Sequence, residues 1–218
     1  MSPTAAVAKL RRPHWVGAAV GVSVFVGLTI GIATDVLTGL DRSIASAGLG
    51  RDRASAFYWP ARVGFSLGQN WVFPLASALV ALLLALRTRR VRPLVGLAGV
   101  FALHTAVIGV AKFCAGRPPP SSGNPHLFAG GLSFPSGHAA NILVFSATLG
   151  VLLVALTGDG RWARRMLGVG IGAAAICVAC MVVLGFHWAS DAAAGLALGV
   201  ALRAIVTPLF ASFACNNG

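Results

Sequence analysis

The stretch Ser133–Asn141, SFPSGHAAN, runs into an apolar segment that continues without a charged residue to Thr157. A loop rich in proline and glycine ends here, a Ser-Gly-His turn follows, and a long apolar run begins. Runs of about 20 apolar residues match the roughly 30 Å hydrocarbon thickness of a bilayer, so the turn stands at the mouth of a membrane-spanning helix. Placed there, it offers backbone N–H groups and an imidazole at the edge of the apolar phase.

Working outward from 137–157, five further runs of similar character lie at about 15–34, 71–86, 93–113, 166–186 and 191–213. Hydrophobic residues make up 57% of the chain and charged residues 10%, where a soluble domain carries about a quarter charged. Mean hydropathy is +0.83. These features predict an all-α, six-transmembrane helical bundle, with residues 1–218 as one membrane-embedded domain. The first run is too long for a signal-peptide core and is followed by no convincing cleavage site, so it reads as a retained helix.

The net charge of +12 does not point to nucleic acid, because the basic residues gather at the ends of the apolar runs. Lys9, Arg11, Arg12, Arg87, Arg89, Arg90, Arg92, Arg161, Arg164 and Arg165 fall on one side of the bundle. Arg42, Arg51, Arg53, Arg62, Lys112 and Arg117 fall on the other, over much longer connections. Short basic loops stay in the cytoplasm. Both termini are therefore expected inside and the loops of about 35–70 and 114–136 outside. Phe57, Tyr58, Trp59 and Trp71 in the first of these suit the membrane interface, where a short interfacial helix and an ordinary loop are equally good readings.

Cys114, Cys177, Cys180 and Cys215 show no metal-binding spacing and no disulfide framework. Small-residue pairs at Gly17/Gly21, Gly27/Gly31, Gly168/Gly172 and Gly195/Gly199 let helix backbones approach, here within the bundle. No internal repeat is evident, which weighs against a transporter built from inverted repeats.

Three polar clusters reach the same external boundary. Lys112 and Arg117 end the third span, Ser136, Gly137 and His138 begin the fourth, and His187 and Asp191 stand between the fifth and sixth. A helix N-terminus with unpaired N–H groups holds anions, and glycine at Gly137 permits close approach of the ligand. Lys112 is one of only two lysines among seventeen Lys and Arg, which marks it as a site cation rather than a topology charge. His187 and Asp191 are four apart and would share a face of a helix. The carboxylate would fix the imidazole tautomer and support positive charge on an attacking ring. His138 is then free to give a proton to a leaving oxygen. A nucleophilic imidazole, a second imidazole and an anion cradle make a phosphoryl-transfer site.

FPSGH at 134–138 and HWASD at 187–191, preceded by Lys112, resemble the motifs of the type-2 phosphatidic acid phosphatase family of integral membrane lipid phosphatases, over about residues 71–213. The resemblance implies that His187 forms a phosphohistidine, Asp191 orients it, His138 protonates the leaving group, and Lys112 with the Ser136–Gly137 turn holds phosphate. It implies neither a metal nor another cofactor. The family's first motif is Lys, six residues, then Arg-Pro, and its third is Ser-Arg, five residues, His, three residues, Asp. On that count the two phosphate-binding arginines fall on Pro119 and Met181. Arg117, two residues before the expected position, is the expected substitute.

His126 reads as a solvated loop residue, His104 as a neutral histidine bonded to a neighbouring helix, and Arg203 as a cation that snorkels or finds a helix partner. The expected function is a plasma-membrane phosphatase acting on a lipid phosphomonoester or pyrophosphate at the extracytoplasmic face. Its partners are the bilayer and a lipid phosphate, with no nucleic acid. A relative that binds or moves lipid phosphates without hydrolysing them is the alternative. A vanadate-dependent haloperoxidase, with a similar site in related soluble enzymes, is remote given six spans.

Overall fold

The computed structural model describes residues 3–12, 14–47 and 52–214, which leaves Cys215 and Arg51 outside the described residues. Among the described residues the chain is all-α. The helices are α1 (Pro3–Ala8), α2 (Trp15–Ala33), α3 (Thr38–Ser46), α4 (Tyr58–Ser66), α5 (Phe73–Thr88), α6 (Arg92–Ala115), α7 (Gly137–Thr157), α8 (Arg161–Val183) and α9 (Ala189–Ala214). A short 3₁₀ turn, Pro120–Ser122, follows α6. Helices α2, α6, α7, α8 and α9 are long and apolar enough to cross a membrane, and α5 is a shorter apolar helix of the same kind. The chain is a multi-pass membrane protein.

Five of the six expected spans agree closely with these helices, whereas α8 begins five residues earlier than the apolar run alone suggested. Just ahead of the helix, Asp159 accepts the backbone N–H of Arg161 (2.9 Å), a carboxylate beside the positive end of the helix dipole. Arg161, Arg164 and Arg165 thus ride on the first turns of α8 rather than in a loop.

Helix α7 is the axis of the bundle. In its apolar window 78% of residues are buried, against 17% for α2 and 22% for α6. Helices α1, α5, α6, α8 and α9 all pack on it, and α2 packs on α9. A helix apolar on every side belongs inside a bundle or in lipid, and the outer helices turn Val20, Ile30, Leu79, Leu86, Phe113 and Ile171 outward. Two short helices, α3 and α4, form in the segment of about 35–70, where a short interfacial helix and an ordinary loop were equally good readings, and α4 holds Tyr58 and Trp59. Helix α1 was not foreseen; its Ala6 and Val7 are buried in the core around α7.

The glycine pairs divide. A Cβ on Gly21 would meet the Ala197 carbonyl oxygen at 2.6 Å, and one on Gly195 would meet the Ser136 carbonyl oxygen at 2.3 Å. On Gly199 it would meet Ala140 Cα at 2.9 Å. These positions bring α2 against α9 and α9 against α7. Gly27, Gly168 and Gly172 instead meet nothing within 4 Å, so they do not pack helices within the chain. Gly195→Ala should therefore cost about 1–3 kcal/mol through overpacking, read as a lower Tm in detergent. Gly172→Ala should leave Tm unchanged or raise it, because a helix interior favours alanine over glycine. Equal Tm values for the two variants would refute this packing account.

Candidate active site

The ends of α6 and the starts of α7 and α9 meet at one end of the bundle, around a cavity of about 660 Å³. Lys112, Ser133, Gly137, His138 and His187 line it, with Gln69, Asn70, His104 and Thr105. Tertiary structure thus brings together Lys112, the Gly137–His138 turn and His187, as expected, and adds Gln69 and Asn70 from the turn before α5.

Helix α7 starts without a side-chain cap: the N-cap Ser136 is extended (φ −69°, ψ 116°) and its hydroxyl makes no capping hydrogen bond. Its backbone N–H donates to the Asp191 carbonyl oxygen (3.0 Å), and its hydroxyl donates to Met181 Sδ (3.4 Å). The first N–H groups of α7 remain available, as those of a helix start do. Ser136 is fully buried and does not line the cavity, so the Ser136–Gly137 turn presents its Gly137 side. A Cβ on Gly137 would lie 4.0 Å from Lys112 Cε, so the lysine stem passes directly over this helix start. Lys112 Nζ donates to the Leu132 and Ser133 carbonyl oxygens, which anchors the ammonium beside the loop that leads into α7.

His138 packs against Phe65 with ring centroids 4.4 Å apart and faces His187 at 6.3 Å. Gly68 makes room for it: a Cβ there would come within 2.6 Å of His138 Cβ. Asn141 Nδ2 donates to the Gly68 carbonyl oxygen (2.9 Å) and so pins this turn to α7.

His187 and Asp191 meet, but not along one helical face. His187 lies in the bend before α9, and Asp191 is in the first turn. From there its Oδ2 accepts the Trp188 backbone N–H (3.1 Å), the reciprocal half of a capping box. The same oxygen accepts the Ser133 hydroxyl (2.6 Å) and lies 3.5 Å from His187 Nδ1. Ser133 Oγ is 3.2 Å from that nitrogen. The Nδ1–H tautomer satisfies these acceptors, and it leaves the Nε2 lone pair for the cavity.

Arg117 departs from expectation. Its side chain is wholly buried and does not line the cavity. Nε donates to the Pro125 carbonyl oxygen (2.7 Å), Nη1 to Ser190 Oγ (2.7 Å) and Asp191 Oδ1 (2.6 Å), and Nη2 to Asp41 Oδ2 (2.6 Å). Trp188 lies 5.5 Å from its Cζ and donates from its indole to the Pro118 carbonyl oxygen (2.9 Å). With its guanidinium shared between two carboxylates, Arg117 stands behind the site rather than in it. The Asp41–Arg117–Asp191 trio carries one net negative charge, so Asp191 can support a positive imidazole even though it is paired.

Asp41, Ser133 and Ser190 are the polar residues that motif reading missed. Asp41 also accepts the Ser190 N–H (3.0 Å) and hydroxyl (2.5 Å). One signal could have singled it out: the chain has only five acidic residues in all.

Of the remaining residues, His126 is half-exposed, with Nδ1 3.0 Å from Asp35 Oδ1. His104 is buried against the Phe145 ring (centroids 5.5 Å). Its Nε2 has no hydrogen-bond partner, contrary to the expected bond to a neighbouring helix, and the ring faces the cavity instead. Pro119 is part of the cavity wall and Met181 is wholly buried.

The chain is similar in fold to a solved protein described as the first transmembrane PAP2 type phosphatidylglycerolphosphate phosphatase, from Bacillus subtilis. Their TM-score is 0.69 at 23% identity, covering 86% of this chain and 94% of that one. No curated protein matches the chain. The family model of the PAP2 superfamily matches residues 93–213, which hold all of Lys112, His138, His187 and Asp191. The chain belongs to the PAP2 superfamily.

Proposed function

We propose that this protein is a metal-independent lipid phosphate phosphatase, its whole chain one membrane-embedded catalytic unit, acting through a phosphohistidine. The observation that carries this reading is His187, held at Nδ1 by the buried Ser133–Asp191 pair, in a cavity shared with His138 and Lys112. His187 Nε2 attacks phosphorus, a P–N bond forms, and the bond to the leaving oxygen breaks as His138 donates a proton to it. Water then attacks the phosphohistidine, His138 takes its proton, and inorganic phosphate leaves. Lys112 and the N–H groups at Gly137 hold the phosphoryl oxygens as charge develops. Exposed Trp59, Trp71, Phe113 and Phe128 suit head-group depth, where a lipid keeps its chains in the bilayer while its phosphate enters the cavity.

The structural neighbour's described substrate makes phosphatidylglycerol phosphate a first candidate here, beside phosphatidate and polyprenyl pyrophosphate. Phosphate release from this panel by the purified protein tests activity and substrate together, with His187→Ala as the blank. Release above the blank from any of the three supports the reading. No release from all three favours the second reading, a protein that binds lipid phosphate without hydrolysing it. One observation favours that alternative: among the described residues Lys112 is the sole Lys or Arg on the cavity wall, and two carbonyl oxygens already draw on its ammonium.

The basic segments around Arg87–Arg92 and Arg161–Arg165, with the N-terminal cluster, support an orientation with both termini in the cytoplasm of a plasma-membrane protein and the cavity outside. Single-cysteine variants in intact cells should be labelled by an impermeant reagent at Asn124 and not at Arg89. The opposite pattern would invert the orientation.

A further inference from the structure

A second cavity, of about 230 Å³, lies between α2, α7, α8 and α9 at the other end of the bundle. Arg203, Thr207 and His14 supply its polar wall. Arg203 is twelve residues beyond Asp191 on α9, about 18 Å along the helix at 1.5 Å per residue. The catalytic reading gives it no task.

Arg203 is only partly exposed, and no carboxylate among the described residues pairs with it. Asp35, Asp41 and Asp191 belong to the opposite end of the bundle, Asp52 lies in the connection between α3 and α4 and accepts the Ala54 N–H, and Asp159, which follows α7, is held by Arg161 (3.1 Å). Thr207 follows Arg203 by four residues and shares its face of α9. Its Oγ1 is buried without a hydrogen-bond partner, although a helix threonine commonly bonds the carbonyl four residues back. Leu10 and Ala163 also line the cavity, so the basic segments Lys9–Arg12 and Arg161–Arg165 run past its rim. An unpaired cation and an unpaired hydroxyl on one wall, with no acid beside them, select an anion. A guanidinium fits phosphate with paired N–H···O bonds.

We propose that this cavity is an anion site that takes a phosphate group from the membrane face opposite the His138–His187 cavity. The group is carried either by an anionic phospholipid head group or by soluble phosphate. A water occupies about 30 Å³ of liquid, so the cavity admits a phosphate and its hydration but not acyl chains, which would lie along the outer faces of the helices. Basic pockets between membrane helices recognise lipid head groups in this way. The inference does not depend on the chemistry assigned to His187.

The test uses the full-length protein carrying Lys112→Ala, so that head groups held by the first cavity do not contribute. Binding of phosphatidylglycerol, with phosphatidylcholine as reference, is read by native mass spectrometry. Phosphatidylglycerol should bind more tightly, and Arg203→Met should weaken it by roughly five- to tenfold, the effect of one basic residue on an anionic lipid. Thr207→Val should weaken it further. Arg203→Lys, which keeps the charge, should retain part of the affinity and stands in if Arg203→Met fails to fold. Inorganic phosphate displacing the lipid in an Arg203-dependent way identifies the soluble anion as ligand, and absence of displacement identifies the head group. Unchanged phosphatidylglycerol affinity in Arg203→Met and Thr207→Val would overturn the proposal.

Discussion

His187→Ala is expected to lower phosphate release by about 10³-fold or more, the scale on which loss of a nucleophile in a coupled catalytic group is felt. No phosphoenzyme should be trapped in this variant. Asp191→Asn should also lower turnover steeply. An amide in place of the carboxylate loses the charge that supports a positive imidazole, and its NH2 meets donors on either side, Ser133 and Trp188 at the Oδ2 position or Arg117 at the Oδ1 position. His138→Ala should differ from both: with an activated leaving group, which needs no proton, phosphohistidine should still form and then decay slowly. Rapid-quench trapping with a labelled, activated phosphate ester separates the three. Wild-type release by His187→Ala would remove the covalent route.

Arg117→Ala is expected to destabilise the bundle by about 3–5 kcal/mol, the range for removing one partner of a buried ion pair. The loss strands the charges of Asp41 and Asp191, both wholly or almost wholly buried, and leaves Asp41 tied to the start of α9 through Ser190 alone. Arg117→Lys should fare little better, because a single ammonium cannot reach Pro125, Ser190 and both carboxylates in the fork geometry of a guanidinium. Stability and turnover should therefore fall together, with Tm lowered in detergent and no selective rise in KM. A variant with wild-type Tm and a raised KM would return Arg117 to the role of phosphate ligand that its position in the chain suggested. Asp41→Asn should weaken the same clamp with Asp191 left intact, and so lower Tm more than it lowers turnover.

Membrane insertion and the six apolar helices were legible without coordinates, because a bilayer demands apolar length and little else. The meeting of Lys112, His138 and His187 was legible too, since span ends that share a membrane boundary are confined to one layer. Helix starts marked by single side chains were less so: the Asp159 carboxylate, just ahead of α8, accepts the Arg161 N–H, a signal that an average over apolar residues erases. Motif spacing placed Arg117 near the phosphate but carried no information on its direction. Two aspartates, one of them 76 residues away in α3, decide that its guanidinium turns inward.

By itself, then, the amino-acid sequence determined the all-α bundle, the membrane setting, the PAP2 motifs and the end of the molecule at which the polar residues gather. These follow from periodicity, length and local order along the chain. Only the tertiary structure decided which polar groups face the cavity and which are spent on one another. It brought Asp41 to Arg117, Ser133 to Asp191 and Gln69 to the cavity that Lys112 lines, and among the described residues it left Arg203 without a counter-ion in a second cavity. The physical reason is desolvation. A charge withdrawn from water must find its partner wherever the fold delivers one, and residues far apart in sequence reveal that partnership only when packed.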